Sequence, residues 1–440
     1  MVKLSNEWID KSNAKLASAS SGAFFQTTEP RLIPTFDRPD DDAVEDIHDE
    51  LTLGKILGEG AFCEVKEISA INLNDNNRDI EAEDEGRQAT TPPADLTYVH
   101  EDDTDEADFP ISLLQSKADI RAYMSANCMR ANVDGPSPRY ALKQLKPTDE
   151  QKYVEQGLID LSIEAMFLAN LNHPSIIRLR ALTGTPLSPN FGLVLDRLFF
   201  TLEDQMDMWT AAKKRSMRSG PCGCLGLGKM DKDTQKMMLV SVVTAAYDLS
   251  CAMRYLHGQN LLYRDTKPEN AGFDVRGDIK IFDFGFCKEL TQDLYDKTSG
   301  QYKLTKRTGS QPYLAPENFV GKPYGKASDV FSFGVLLFEM LHCKFAFYHL
   351  SNPKDYTDLV CNRDYRPEID KSLPMSLQRI ISQSWDPDYN KRPSFKRIAA
   401  LLGTELRDMT SNRDELTRSE KMLNQSARSI KANNRRNRAR

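Results

Sequence analysis

Two short stretches hold side chains that could do chemistry together: Tyr263-Arg264-Asp265-Thr266-Lys267-Pro268-Glu269-Asn270 and, shortly after, Asp283-Phe284-Gly285. They offer a carboxylate able to take a proton, an ammonium able to lie against a phosphate, and a carboxylate and an amide carbonyl able to ligate a hard cation. The chemistry such a set serves is phosphoryl transfer. That reaction leaves a protein little covalent work; it asks for phosphates held in place and their charge neutralised. Magnesium keeps several waters, so one carboxylate and one amide oxygen beside the phosphates suffice as protein ligands.

Any one of these stretches alone is weak, because a three-residue motif occurs by chance and a lone aspartate is usually a solvated surface residue. Order and spacing add the weight. Upstream stands Leu57-Gly58-Glu59-Gly60-Ala61-Phe62-Cys63-Glu64-Val65, where missing side chains let backbone N–H groups approach phosphate oxygens; taken alone it is as well read as a hairpin turn. Tyr140-Ala141-Leu142-Lys143 follows, then Asp160-Leu161-Ser162-Ile163-Glu164. Downstream lie Ala315-Pro316-Glu317, Ser328-Asp329-Val330-Phe331, and Asn390-Lys391-Arg392-Pro393. From about Leu51 to about Leu402, interrupted by insertions, this series resembles the eukaryotic protein kinase family. The pieces match its glycine-rich loop, third-strand lysine, C-helix glutamate, catalytic loop, D-F-G and A-P-E motifs, in that order.

The resemblance implies an α+β, two-lobed fold with a small β-rich N-lobe carrying a C-helix and a large, mainly helical C-lobe. It implies transfer of the γ-phosphate of Mg-ATP, with ATP and Mg²⁺ as cofactors and proteins bearing Ser/Thr acceptors as substrates. Asp265 would orient the acceptor hydroxyl, Lys267 would lie against the transferring phosphate, and Asn270 and Asp283 would hold the metal. Lys143 would hold the α- and β-phosphates, and Glu164 would hold Lys143. Gly58, Gly60, Val65, Ala141, Leu195, Asp196 and Leu198 would complete the nucleotide site; Gly192 to Leu198 reads as a buried strand running into the interlobe hinge, with Leu195 at the gatekeeper position by resemblance. Asp329 would brace the catalytic loop, and Arg392 would pair with Glu317. A lysine two residues after Asp265 is the serine/threonine form, while Phe200-Thr201-Leu202-Glu203-Asp204 has a tyrosine-kinase-like flavour that leaves dual specificity open. A scaffold that has lost catalysis is the rival reading, opposed by the intact Lys143, Asp265 and Asp283; small-molecule phosphotransfer is opposed by the A-P-E segment.

The chain departs from the family pattern in three places. Cys63 replaces the third loop glycine, the one farthest from the phosphates. Tyr263 replaces the usual histidine, where an aromatic can still pack. Gly272 falls where a larger aliphatic commonly floors the adenine pocket, which suggests weaker nucleotide affinity or a roomier pocket. Arg264 marks the type of kinase ordered by a phosphate on its activation segment, with Thr305 and Thr308 as candidate targets of an upstream kinase. Ser310 aligns with the substrate-facing Ser/Thr beside Asp265.

Residues 1–50 are polar, with the run Asp40-Asp41-Asp42 and no sustained period, and read as a flexible leader. An acidic insertion runs from about 71 to 137; its charge density opposes collapse, and it reads as a solvated loop before a docking arm. Its later part, Ile111 to Met124, has helical spacing and predicts a short helix packed on the small lobe. A basic, Gly-rich insertion spans about 213–232, a long amphipathic helix is expected from Thr234 to His257, and residues 403–440 form a polar tail with a basic end. His257 reads as a packing residue. Cys222 and Cys224 lack a second ligand pair at zinc spacing. A net charge of −6 argues against nucleic acid as the main partner. The start of the chain lacks the apolar core of a secretory signal, no stretch reads as a membrane span, and eight scattered cysteines suit reduced thiols, which together suggest the cytoplasm or nucleus.

Overall fold

A computed structural model of the chain describes residues 4–28, 30–36, 50–73, 116–130, 136–148, 150–218, 232–347, 350 and 352–410. They fall into two units, residues 1–172 with 177–197, and residues 173–176 with 198–440.

The first unit is built on a six-stranded sheet of β1 (Thr35–Phe36), β2 (Leu51–Glu59), β3 (Cys63–Ile71), β6 (Tyr140–Leu145), β7 (Leu179–Thr183) and β8 (Gly192–Asp196), ordered β1-β7-β8-β6-β3-β2. A separate short pair joins β4 (Met129–Arg130) to β5 (Ser137–Pro138). Residues opposite one another on neighbouring strands share a face, so register sorts the side chains. One face carries Gly58 opposite Val65, Val65 opposite Lys143, and Ala141 opposite Leu195. The other carries Leu142 opposite Val194 and packs with Phe36, Leu51, Ile68, Ile120 and Met124. β8 is buried on both faces, which is why Gly-Leu-Val-Leu reads as a continuous apolar run.

Ile120 and Met124 come from α3 (Lys117–Ala126), capped by Ser116, whose hydroxyl accepts from Asp119 N at 3.1 Å. The expected helix late in the acidic insertion is therefore present and forms part of the core; residues 74–115 and 131–135 of that insertion lie outside the described residues. The flexible-leader expectation is corrected where the leader is described: Asn6–Ala19 form α1, Ala23–Thr27 form α2, and β1 runs parallel to β7 with Thr35 opposite Leu182. Buried Arg121 of α3 ties this segment down by donating to Glu50 at 2.6 Å and to the carbonyl of Thr35. Residues 1–3, 29 and 37–49, the run Asp40-Asp41-Asp42 among them, lie outside the described residues. Beside the sheet lies α4 (Gln151–Asn170), which buries Leu158, Leu161, Glu164, Phe167 and Leu168.

The second unit contains α5 (Leu202–Arg218), α6 (Lys232–Gly258), α7 (Lys326–His342), α8 (Met375–Ser384) and α9 (Phe395–Thr410). Short strands β9 (Phe200–Thr201), β11 (Ala271–Phe273) and β12 (Ile279–Ile281) form one small sheet, and β10 (Leu261–Leu262) pairs with β13 (Lys288–Glu289). α7 is buried on every side from Ser328 to Leu341, the signature of a central helix. The basic insertion is in part helix, since α5 continues to Arg218; residues 219–231, Cys222 and Cys224 among them, and the tail beyond 410 lie outside the described residues. α6 matches the expected long helix. It also overturns the expectation that no stretch is apolar and long enough to span a bilayer: it is both by composition, although half of its most apolar window is buried inside the fold, as in a core helix.

Candidate active site

In the first unit, Lys143 Nζ donates to Glu164 Oε2 at 2.5 Å, and both side chains are largely buried. The lysine stands in mid-sheet on β6, the glutamate on the sheet-facing side of α4. Gly157, two turns before Glu164, permits this approach: a Cβ there would lie 2.5 Å from Leu145 Cδ2 and 2.9 Å from Phe62 Cβ. Phe62, at the tip of the glycine-rich hairpin, rests on Tyr153 of α4 with ring centroids 5.6 Å apart. Gly60 N donates to Cys63 O at 2.7 Å and closes that hairpin, so Cys63 serves through its backbone. Asp196 turns its carboxylate into a two-point pair with Arg180, at 2.6 and 2.9 Å. No motif signals this anchoring at the end of β8.

The second unit assembles the catalytic-loop residues. Asp265 and Asn270 are each 5% exposed. Asn270 Nδ2 donates to Asp265 Oδ2 at 2.7 Å and to Asp265 O at 3.0 Å, which leaves the amide oxygen as its donor atom toward a cation. Ser310 Oγ donates to Asp265 Oδ1 at 2.8 Å, Lys267 Nζ donates to Ser310 Oγ at 3.0 Å, and Lys267 Nζ lies 3.3 Å from Asp265 Oδ2. Phe282 N donates to Asn270 O at 3.0 Å, which brings the backbone next to Asp283 against the catalytic loop. Asp283 and Arg264 both have left-handed backbones, at φ 64° and 70°. Such conformations persist only where the surroundings enforce them, and they cluster at functional positions.

That enforcement is visible. Asp329, 1% exposed on α7, accepts from Tyr263 N at 3.0 Å and Arg264 N at 2.8 Å, and its Oδ2 lies 2.9 Å from His257 Nε2. Asp329 thus braces the loop as the resemblance implied, and His257 packs edge-on against Phe395. Tyr263 donates through its hydroxyl to Phe282 O and meets the Phe284 ring at 5.3 Å, so the substituted aromatic still supports the D-F-G segment. Arg392 holds Glu317 at two points, 2.6 and 3.0 Å, both groups buried. The roomier pocket inferred from Gly272 does not materialise at that position. A Cβ there would lie 2.9 Å from Leu198 Cδ1 and 3.3 Å from Phe282 Cε1, so these two side chains already take the volume.

Of the two candidate acceptors, Thr305 is exposed and Thr308 is half-buried, its hydroxyl donating to Thr305 O at 3.0 Å. Arg264 Nε donates to Phe286 O at 2.6 Å. Burial, with the charge of Arg264 nearby, holds the Lys288 ammonium below its usual range.

A buried carboxylate with a lysine and an amide on one loop, an aspartate in strained backbone beside it, and a lysine–glutamate pair on the β-rich unit are together the parts of a phosphotransferase. The family model of the protein kinase domain matches residues 125–401, more than half of the chain. The chain belongs to that family, and its β-rich first unit and helical second unit are the α+β halves of the two-lobed kinase fold. The glycine-rich hairpin lies ahead of the matched region. Among its relatives, the dual specificity protein kinase shkE of Dictyostelium discoideum is 35% identical over 162 residues, 37% of this chain and 22% of that protein. Protein kinase 3 of the same organism is 29% identical over 258 residues, 58% and 25%. The serine/threonine-protein kinase STY17 of Arabidopsis thaliana is 26% identical over 273 residues, 62% and 41%. The matches thus span less than half the length of each of these relatives.

Proposed function

We propose that this chain is an active protein serine/threonine kinase that transfers the γ-phosphate of Mg-ATP to Ser and Thr hydroxyls. The observation that carries the reading is the contact of Ser310 Oγ with Asp265 Oδ1 and Lys267 Nζ: an alcohol already sits between the base and the ammonium, in the way an acceptor hydroxyl must. Asp265, its other oxygen fixed by Asn270, would accept the hydrogen bond of the acceptor hydroxyl and so turn the lone pair of that hydroxyl oxygen toward phosphorus. Lys267 offsets charge on the phosphoryl oxygens. Lys143, steadied by Glu164, would hold the α- and β-phosphates on the sheet face that carries Gly58, Val65, Ala141 and Leu195.

The donor set suits Mg²⁺. Asn270 and Asp283 would supply two hard oxygens, enough for an ion that keeps several water and phosphate ligands. When bound, that ion supplies charge neutralisation of the phosphates. Phosphorylation of Thr305 or Thr308 by an upstream kinase belongs to the same reading; mass spectrometry of active enzyme with neither residue modified would remove it. Some relatives are named dual specificity kinases, which supports tyrosine as a further acceptor.

The test is transfer of labelled γ-phosphate from Mg-ATP to peptides carrying Ser, Thr or Tyr, with wild type beside Asp265→Asn and Asp283→Ala. We expect labelled Ser and Thr and a loss of about 10²–10⁴ in kcat for Asp265→Asn. Nucleotide-dependent thermal stabilisation with no transfer would turn the reading to a scaffold.

A further inference from the structure

The early part of the chain reaches α4 at three places, near Trp8, at Phe24 and Phe25, and at Arg31. At the start of α4, Trp8 lies with Phe62, Lys152, Tyr153, Gln156 and Ile159 around a shared cavity. Near the end of α4, Phe24 and Phe25 close on Phe167, with ring centroids at 6.3 and 5.1 Å; Phe24 and Phe167 are buried. Phe167 is one helical turn beyond Glu164. The last carbonyls of any helix have no partner within it, and a cation there complements the helix dipole. α4 has no basic residue in its last turn. Arg31 fills both needs from outside: its NH2 donates to Leu168 O at 2.6 Å and its backbone N–H to Ala169 O at 3.1 Å. Beyond Arg31 the segment is fixed to the sheet, where Leu182 N donates to Pro34 O at 2.9 Å, β1 pairs with β7, and Arg121 reaches Thr35 O.

We propose that residues 5–36 act as a brace that keeps α4 where Glu164 meets Lys143, and that Phe24, Phe25 and Arg31 are positioning residues for phosphoryl transfer. The claim rests on the kinase reading above. A helix held at both ends against the sheet keeps its glutamate within 2.5 Å of the lysine. Released, it can roll or shift by a fraction of a turn, and the pair opens. The brace acts through Glu164 and touches no reacting atom. Whatever loosens residues 5–36 lowers turnover without altering any motif of the catalytic loop.

The experiment uses the full chain as wild type, Arg31→Ala, Arg31→Lys, and the double variant Phe24→Ala/Phe25→Ala, all well below their melting transitions. Three quantities are read: amide hydrogen exchange across residues 151–170, acylation of Lys143 by an amine-reactive ester, and kcat and KM for ATP. Arg31→Ala should speed exchange in the last turns of α4, raise Lys143 acylation as its bond to Glu164 is lost, and lower kcat about 2- to 30-fold. Arg31→Lys, which keeps a cation and a donor at the carbonyls, should restore all three toward wild type, and the double variant should exceed Arg31→Ala. Faster exchange with unchanged acylation and kinetics would overturn the proposal, since the segment would then merely pack on α4. So would unchanged exchange in both Arg31→Ala and the double variant. A wild type that transfers no phosphate would remove the kinase reading, while exchange and acylation would still judge the brace.

Discussion

The two units hold their reactive side chains by different means. In the second, one buried carboxylate does most of the holding: Asp329 takes the N–H groups of Tyr263 and Arg264 and lies against His257, from within the central helix α7. In the first, Lys143 and Glu164 meet because a helix is steadied from outside, by Phe24, Phe25 and Arg31 of a segment more than a hundred residues earlier in sequence. A site held from its core has one dominant point of failure. A site held from its periphery has several weaker ones, and each is open to adjustment.

The largest blow to the core-held site is Asp329→Ala, which strands the buried N–H of Tyr263 and the half-buried N–H of Arg264. We expect a loss on the order of 3–5 kcal/mol in urea unfolding and a kcat lower by about 100-fold or more, since small misplacements of a catalytic loop are that costly. Retained activity would show that the loop is held elsewhere.

The buried ion pairs allow a direct match between units. Arg392–Glu317 and Arg121–Glu50 are both shielded, with side-chain exposures of 0%/6% and 6%/0%. Removing either arginine leaves an uncompensated buried carboxylate, so Arg392→Ala and Arg121→Ala should each cost roughly 3–5 kcal/mol. Hydrogen exchange should place the first loss in the second unit and the second in β1 and α3. An Arg121→Ala loss under about 1 kcal/mol would mean that water reaches Glu50 and that the first unit is the softer of the two.

A third effect depends on pH. Burial pushes the Glu339 carboxyl from 4.5 up to about 7, against the opposing bonds from Ala346 N and the Tyr313 hydroxyl. The folded form then holds a proton that the unfolded chain gives up. The stability is therefore complete below pH 4.5 and is lost as pH rises toward 7, by about 3 kcal/mol. Glu339→Gln should flatten this part of the stability curve, and an unchanged slope would assign it to other groups.

The smallest effect tests the first unit's packing. Gly157→Ala places a methyl group 2.5 Å from Leu145 Cδ2 and 2.9 Å from Phe62 Cβ. We expect about 1–3 kcal/mol of overpacking and a higher KM for ATP as the glycine-rich hairpin is pushed off α4; an unchanged KM would separate the hairpin from the helix.

Legibility in the sequence followed the same divide. Asp265, Lys267, Asn270, Asp329 and the Arg392–Glu317 pair could be read because short motifs with fixed spacing carry them; the structure brings Asp265, Lys267 and Asn270 together, sets Asp329 on the backbone of Tyr263 and Arg264, and pairs Arg392 with Glu317. The helix around Ile120 and Met124 was readable from its period. Residues 5–36 were not. α1 is polar apart from a few positions, β1 is two residues long, and the partner of Arg31 lies 137 residues away, so no local pattern marks the segment as structured. Nothing near Arg121 in sequence announces its partner Glu50, which lies 71 residues away. Gly272 misled for a related reason: the side chains that fill its space, Leu198 and Phe282, come from other strands and loops.

The parallel pairing of β1 with β7 also bears on how the molecule avoids its own copies. Without those two residues, β7 would present an open row of N–H and C=O groups at the sheet edge, a template for a strand from another chain. At the far edge, β2 carries register irregularities against β3 and exposes Lys55. Such kinks and charges discourage pairing. One edge of the sheet therefore ends in a strand of only two residues and the other is broken by register shifts and charge, two devices that each disfavour pairing with a foreign strand.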